Sequence, residues 1–497
     1  MKSRKGYQYG LLEIDPIAGS DDSPDDHQND KQQNDRVQNS SPQQIIKPIE
    51  HVLTIPFIWD GWDTFFACFL FFVGTFTRFW IIHQPIEYVF NERLTLSHIH
   101  HYHNLTFFMA DNPPFQELLL FYLINTMEYP YDFNVNEIPD YTFQHTAYSS
   151  MRSVSAFFAM MAVPISYLIM RTFGCKQFYS FCGGILCLVD QLLISSSRNI
   201  GIHGAVQFYC ATSLLLAGLS HHFTFGCPQQ YSLVILQGVF AAFGFSTSFL
   251  SFPFALFAVV WPLIRFHSKK QSLSNLGIIL SMLYLSCFVH VLYTPIKLKH
   301  QTQGMSNSFQ NFTANKIQQI QFKHFAFSFE YSFRILINFV INSLNRLNIE
   351  KVGRRLLMCE KWSVLWHKDG RFIVCFGNRI ITVPAILFAY FDVYNHRKLN
   401  RFDAKSFLSL IFVFVVIYNA FCYHIKRSGC SESYLPEYLA IIEFILFIEG
   451  HFSPKLSGIA LTLILFISIM LFLNWAPIIY PYINPDPYIK PHIPWKN

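Results

Sequence analysis

Charge is what this sequence has least of. Only 14% of its 497 residues are Asp, Glu, Lys or Arg, while 52% are hydrophobic; a soluble globular domain carries about 25% charged residues. That shortage excludes a water-solvated surface over most of the chain. A basic stripe able to follow a phosphate backbone is also missing, so the formal charge of +6 bears on membrane orientation and not on nucleic acid. The eleven cysteines are scattered through apolar runs, as at Cys182, Cys187 and Cys210, with no Cys-x-x-Cys pair. This excludes a regular zinc or disulfide framework and leaves packing as their role. No basic n-region leads into a short apolar stretch and cleavage site, so the first apolar run is expected to be retained as a helix.

Long apolar runs are what the chain has instead. Thr64 to Ile82, Leu276 to Pro295, Phe407 to Ile425 and Leu456 to Leu473 are each long enough to cross a hydrocarbon core of about 30 Å at about 1.5 Å per residue. Helices are expected near 63–83, 154–171, 178–196, 200–220, 231–247, 249–266, 275–296, 378–395, 406–425, 435–451 and 456–476. The break inside Tyr231 to Phe266 rests on Ser246, Ser248, Ser251 and Pro253. The fold class is therefore an all-α polytopic membrane protein with about 11 transmembrane helices. Residues 1–52, rich in Asp, Gln, Asn and Ser, are expected to form a disordered cytosolic tail. Alternate connections carry Arg171 and Lys176, then Arg265, Lys269 and Lys270, then Arg397, Lys398, Arg401 and Lys405, which places them in the cytosol. An odd number of spans puts the tail 481–497 on the opposite, exoplasmic side. The chain thus divides into a transmembrane region 53–296 with an exoplasmic loop 84–153, a second exoplasmic loop 297–377, and a four-helix region 378–480. Both loops hold a glycosylation sequon, at Asn104 and Asn311.

The first loop concentrates polar residues beyond the needs of a connector: Arg78 at a helix end, Asn91-Glu92-Arg93, Asp111-Asn112-Pro113-Pro114 and Arg152. Carboxylate beside guanidinium at a membrane face suits chemistry on a lipid-linked phosphate, because arginine matches phosphate oxygens and a carboxylate can accept a hydroxyl proton. The bland reading is that Arg78 snorkels to headgroups and Glu92 is a solvated loop charge.

The stretch Phe76-Thr77-Arg78-Phe79, Val89-Phe90-Asn91-Glu92 and Phe107-Phe108-Met109-Ala110-Asp111-Asn112-Pro113-Pro114 resembles the first luminal loop of the protein O-mannosyltransferases, which reads roughly FTRF, VFDE and FFMDVHPP. Further matches follow in order: Tyr148 with Met151-Arg152, Val163-Pro164 with Tyr167, Asp190 with Ser197-Arg198, Gly377-Asn378, and Tyr434-Leu435-Pro436. The resemblance implies a GT-C-like bundle in the endoplasmic reticulum membrane that transfers mannose from dolichyl phosphate mannose to Ser or Thr hydroxyls of proteins. It implies no cofactor beyond that lipid-linked donor, and a homo- or heterodimer with another family member. By the same resemblance Arg78 and Arg152 are expected at the donor phosphate, Glu92 at the catalytic centre, and Asp190 and Arg198 in support.

The sequence also departs from the family. Asn91 stands where the expected general base is an acid, Asn112 where a histidine precedes the two prolines, Glu117 where a basic residue follows them, and Ser433 where a histidine precedes Tyr-Leu-Pro. An amide cannot take up the acceptor proton at neutral pH, which leaves Glu92 and Asp111 as catalytic candidates beside Asn91. Residues 297–377 are too few for the β-trefoil MIR domain found there in relatives; Arg334 to Leu347 has a helical pattern. These departures favour a runner-up reading, a catalytically silent subunit that regulates a partner.

The run His98-Ile99-His100-His101-Tyr102-His103 invites a metal reading. It lacks acidic partners at fixed spacing, so the expectation is no metal, with the histidines at the polar edge of an interfacial helix and Leu94, Leu96, Ile99 and Leu105 toward lipid. Asp190, Asp392, Glu443 and Glu449 fall within spans, where ionisable groups mark cavities or proton paths. Transport is a third class, weakened by the lack of paired broken helices in two halves.

Overall fold

The computed structural model describes residues 59–84, 92–108, 110, 112–126, 145–294, 363–368, 371–375, 378–399, 404–426 and 434–480. The first helix, α1 (Gly61–Phe79), starts at Asp60, whose side chain accepts from the Asp63 amide while Asp63 reaches back to the Asp60 amide; this reciprocal box satisfies two of the donors a helix start leaves open. Two short helices follow, α2 (Glu92–His103) and α3 (Phe115–Thr126), then α4 (His145–Thr172), α5 (Gln177–Val189), α6 (Gln191–Ser197), α7 (His203–His221) and α8 (Pro228–Phe245). After a 3-10 turn at Phe249–Ser251 come α9 (Phe252–Phe266) and α10 (Lys269–Tyr293). A hairpin of β1 (Ser363–Lys368) and β2 (Arg371–Cys375) precedes α11 (Arg379–Leu399), α12 (Ala404–Lys426), α13 (Tyr434–His451) and α14 (Pro454–Ile479).

Every one of the eleven expected helical regions is helical. One expectation needs correction. The region 178–196 is not one rod: Asp190 ends α5 and caps α6, accepting from the Leu193 amide at 2.9 Å, and the two helices meet at 53°. Among the described residues the elements are helical apart from one short antiparallel hairpin, in which Ser363 pairs with Cys375 and Lys368 with Arg371. The Asp369-Gly370 pair between the strands is the residue choice that two-residue hairpin turns favour. The helical pattern at Arg334 to Leu347, the tails and most of 297–377 lie outside the described residues.

Four described segments are long and apolar enough to cross a membrane, Ser149–Thr172, Phe249–Phe266, Lys269–Tyr293 and Pro454–Asn474, and the bent pair α5–α6 makes a fifth if counted as one span. In α14, Leu463, Phe466 and Leu473 are each more than half exposed, an outward apolar face that suits lipid and not water. The interior is built where α4, α5, α7, α9, α12 and α13 meet, around Met170, Cys187, Cys210, Phe254, Phe412 and Tyr438. Close approach of α7 to α4 depends on small residues: a Cβ at Gly204 would sit 2.2 Å from the Ser155 carbonyl oxygen. Packing through small residues is how helices gain contact where lipid removes the hydrophobic drive between them.

Candidate active site

The C-terminal end of α1 and the N-terminal ends of α2, α4, α7 and α13 gather at one end of the bundle. There the backbone turns sharply at Ile81, with φ of 49°, a left-handed conformation that costs a β-branched residue on the order of 1–3 kcal/mol. Two arginines clamp this turn. Arg198, at the end of α6, donates to the carbonyls of Arg78 at 2.8 Å and Ile81 at 3.1 Å, and its guanidinium lies 4.6 Å from the centre of the Tyr480 ring. Arg152, in α4, donates to the Ile82 carbonyl at 3.2 Å.

Arg152 also makes the central ion pair. Its Nε donates to Glu92 Oε1 at 2.7 Å and its Nη2 to Oε2 at 2.9 Å, with both side chains almost fully buried. The Ile200 amide donates to Glu92 Oε1 at 2.9 Å. Glu92 opens α2, where a carboxylate also complements the positive end of the helix dipole. A buried ion pair is favourable only when its remaining hydrogen-bonding capacity is met, and here the backbone of two other segments meets it. Residues 78–82, 92, 152 and 198–200 are thereby one connected unit.

Arg78 is fully buried and held by oxygens of uncharged groups. Its Nη1 donates to Thr77 Oγ1 and to the Leu188 carbonyl, both at 2.9 Å, and its Nη2 to the Cys187 carbonyl at 3.1 Å; its Nε is sealed without a partner. Asp190 sits within electrostatic reach of Arg78 and beside Glu437. Glu437 accepts from the Asn378 amide and from Thr382 Oγ1, both at 2.7 Å, so it joins the start of α13 to the start of α11. Sequence reasoning did not single out Glu437, although it directly follows Tyr434-Leu435-Pro436; an acid at that place was the available signal. Asn91 and Asp111 lie outside the described residues, next to Glu92 and Asn112.

The histidine-bearing helix also departs from expectation. Leu96 and Ile99 do not face outward but pack with Leu120, Ile124, Met151 and Ile200, while Leu94 and Leu105 are exposed. His98 is buried, stacked on Phe108 with ring centres 4.4 Å apart, and its Nδ1 meets Glu117 Oε1 at 2.7 Å. Burial, together with the neighbouring His98 and His100, holds the His101 imidazole below its ordinary value of 6.5. No group of three or more His, Cys, Asp or Glu able to hold a metal ion occurs among the described residues.

Residues 68–304 match the family described as dolichyl-phosphate-mannose-protein mannosyltransferase. The match spans just under half of the chain. Over 129 residues the chain is 29% identical to dolichyl-phosphate-mannose--protein mannosyltransferase 4 of Candida albicans, a stretch covering 26% of this chain and 17% of that relative. The fold is similar to one in the S. cerevisiae protein O-mannosyltransferase Pmt1-Pmt2 complex bound to the sugar donor. That likeness has a TM-score of 0.66 at 11% identity and covers 85% of this chain and 91% of that one. The matched segment contains Arg78, Glu92, Arg152, Asp190 and Arg198 together, so the clamp around Ile81 and Glu92 lies within the stretch that is similar to the family.

Proposed function

We propose that the chain is a GT-C-like glycosyltransferase of the endoplasmic reticulum membrane, crossing it about eleven times, that transfers mannose from dolichyl phosphate mannose to Ser or Thr hydroxyls of proteins. The observation that carries this reading is the buried Glu92–Arg152–Ile200 lock at the head of α2, set inside the family-matching segment. It fixes the start of α2 against α4 and residue 200. In the reaction the acceptor oxygen gives up its proton and bonds to the anomeric carbon, while the bond from that carbon to the phosphate oxygen breaks and its electron pair leaves on dolichyl phosphate. Developing charge on that phosphate is favoured by the field of Arg78, Arg152 and Arg198. Since Arg78 and Arg152 are sealed, they act as positioning residues and not by direct contact with the phosphate. The partners are the donor lipid, the acceptor protein and a second family member in a dimer.

A second reading, a catalytically silent partner subunit, is favoured by two features: both Glu92 oxygens are already hydrogen-bonded and residue 91 is an amide. The purified chain, alone and with Asn91→Asp, separates the two in a transfer assay to a Ser/Thr-rich peptide. Transfer by the native chain supports the enzyme. Transfer only after Asn91→Asp supports the silent subunit.

A further inference from the structure

A carboxylate that holds an imidazole by one nitrogen, leaving the other nitrogen open, is the arrangement by which enzymes make a base for a hydroxyl proton. The first loop contains one. Glu117, in the first turn of α3, accepts from His98 Nδ1 at 2.7 Å, and the two side chains are 12% and 9% exposed. His98 Nε2 has no hydrogen-bond partner among the described residues. Glu117 Oε2 is sealed without a partner, and so are both amide atoms of the adjacent Gln116. Unmatched buried polar atoms on consecutive residues ask for an explanation; a half-matched carboxylate beside an imidazole gains most when that imidazole becomes positive, as it does on accepting a proton.

The surroundings orient the pair. Phe108 stacks on His98, and His290 of α10 fixes Phe108 in turn by donating from Nε2 to its carbonyl at 3.2 Å while accepting from the Tyr102 hydroxyl at Nδ1, 2.7 Å. Among the described residues the titratable groups facing His98 are Glu117 from α3, His101 from its own helix and His290 from α10. Glu117 is thus the acid that opposes the charge His98 would gain. The pair also lies on the helix that Glu92 opens and on the helix that follows Pro113-Pro114, within the loop whose expected base is the amide Asn91.

The geometry points to His98, oriented by Glu117, as the general base that accepts the acceptor hydroxyl's proton in this chain; this rests on the transferase reading above. His98 Nε2 takes the proton as the oxygen bonds to the anomeric carbon and dolichyl phosphate departs with the electron pair, and the proton then passes to solvent. Glu117 is a positioning residue.

The test is the pH–rate profile of mannose transfer from dolichyl phosphate mannose to a Ser/Thr-rich peptide by the full chain in detergent. As pH falls, an imidazole base loses activity before a carboxylate base does, because carboxylates ordinarily titrate about two units lower. His98→Asn is expected to lower the rate at pH 7.5 by about a hundredfold or more, the usual share of a general base. Because His98→Asn leaves a bare buried carboxylate, His98→Asn with Glu117→Gln is measured beside it as a charge-free pair and is expected to be equally slow. Adding Asn91→Asp to that double variant is expected to restore transfer with the profile moved to lower pH. Undiminished transfer in the folded double variant, or a native profile flat down to pH 5, overturns the assignment of the base and leaves the transferase reading standing. No transfer by the folded native chain overturns both.

Discussion

Replacing Arg152 by Met removes the guanidinium from the Glu92 lock while keeping much of the side-chain volume. Glu92 is fully buried and loses two charge-assisted bonds, at 2.7 and 2.9 Å. Breaking one side of a buried ion pair costs about 3–5 kcal/mol, because the remaining charge is left uncompensated. The loss is local first, since the lock joins α2 to α4 and to residue 200. At about 1.4 kcal/mol per factor of ten, local opening of α2 should become about two to four powers of ten more frequent. Amide hydrogen exchange of the purified chain in detergent micelles reads this directly: α2 amides should exchange faster by that factor, while amides in the middle of α7 change little. The charge-free pair Glu92→Gln with Arg152→Met should recover most of the protection, since neither polar partner is then left alone. Protection of α2 that is unchanged within tenfold in Arg152→Met would refute the reasoning.

Other outcomes follow from particular contacts. Gly204→Ala should cost about 1–3 kcal/mol in thermal or denaturant unfolding through overpacking against the Ser155 carbonyl. Gly277→Ala, whose Cβ meets nothing within 4 Å, should be neutral or stabilising by about 0.5–1 kcal/mol because alanine suits a helix interior better. Asp190→Ala should lower stability by about 0.5–2 kcal/mol through loss of the α6 cap, with Asp190→Asn keeping more of it. His101, held below 6.5 in the folded chain, binds a proton more readily when unfolded. It therefore contributes stability above about 6.5 that is lost as pH falls toward its lower folded value, and His101→Gln should remove this part of the pH dependence of melting.

The helices were legible because apolar length alone marks them. Even the break after α8 was readable: Ser246 caps α8, Ser248 caps the 3-10 turn and Pro253 occupies the first turn of α9. The bend at Asp190 was not read, although an acid ahead of a short helix is a capping signal; within a long apolar run it was taken as a span charge. The hairpin was overlooked because the apolar, helix-rich chain around it outweighed the Asp369-Gly370 turn signal. At the candidate site, Arg78, Glu92, Arg152, Asp190 and Arg198 were singled out through family resemblance, and the fold brings Arg78, Glu92, Arg152 and Arg198 to one end of the bundle. Their partners were not singled out, because Ile82, Ile200 and Leu188 contribute backbone groups that no side-chain motif encodes. His98 and Glu117 stand 19 residues apart on different helices, and only the packing of α2 on α3 makes them a pair.

Whether the chain transfers mannose is decided by mass spectrometry of a Ser/Thr-rich peptide after incubation with dolichyl phosphate mannose and the purified chain alone. One hexose on a Ser or Thr hydroxyl is expected for each dolichyl phosphate released. An unmodified peptide and an unconsumed donor, with α2 still protected from exchange, would contradict the transferase reading.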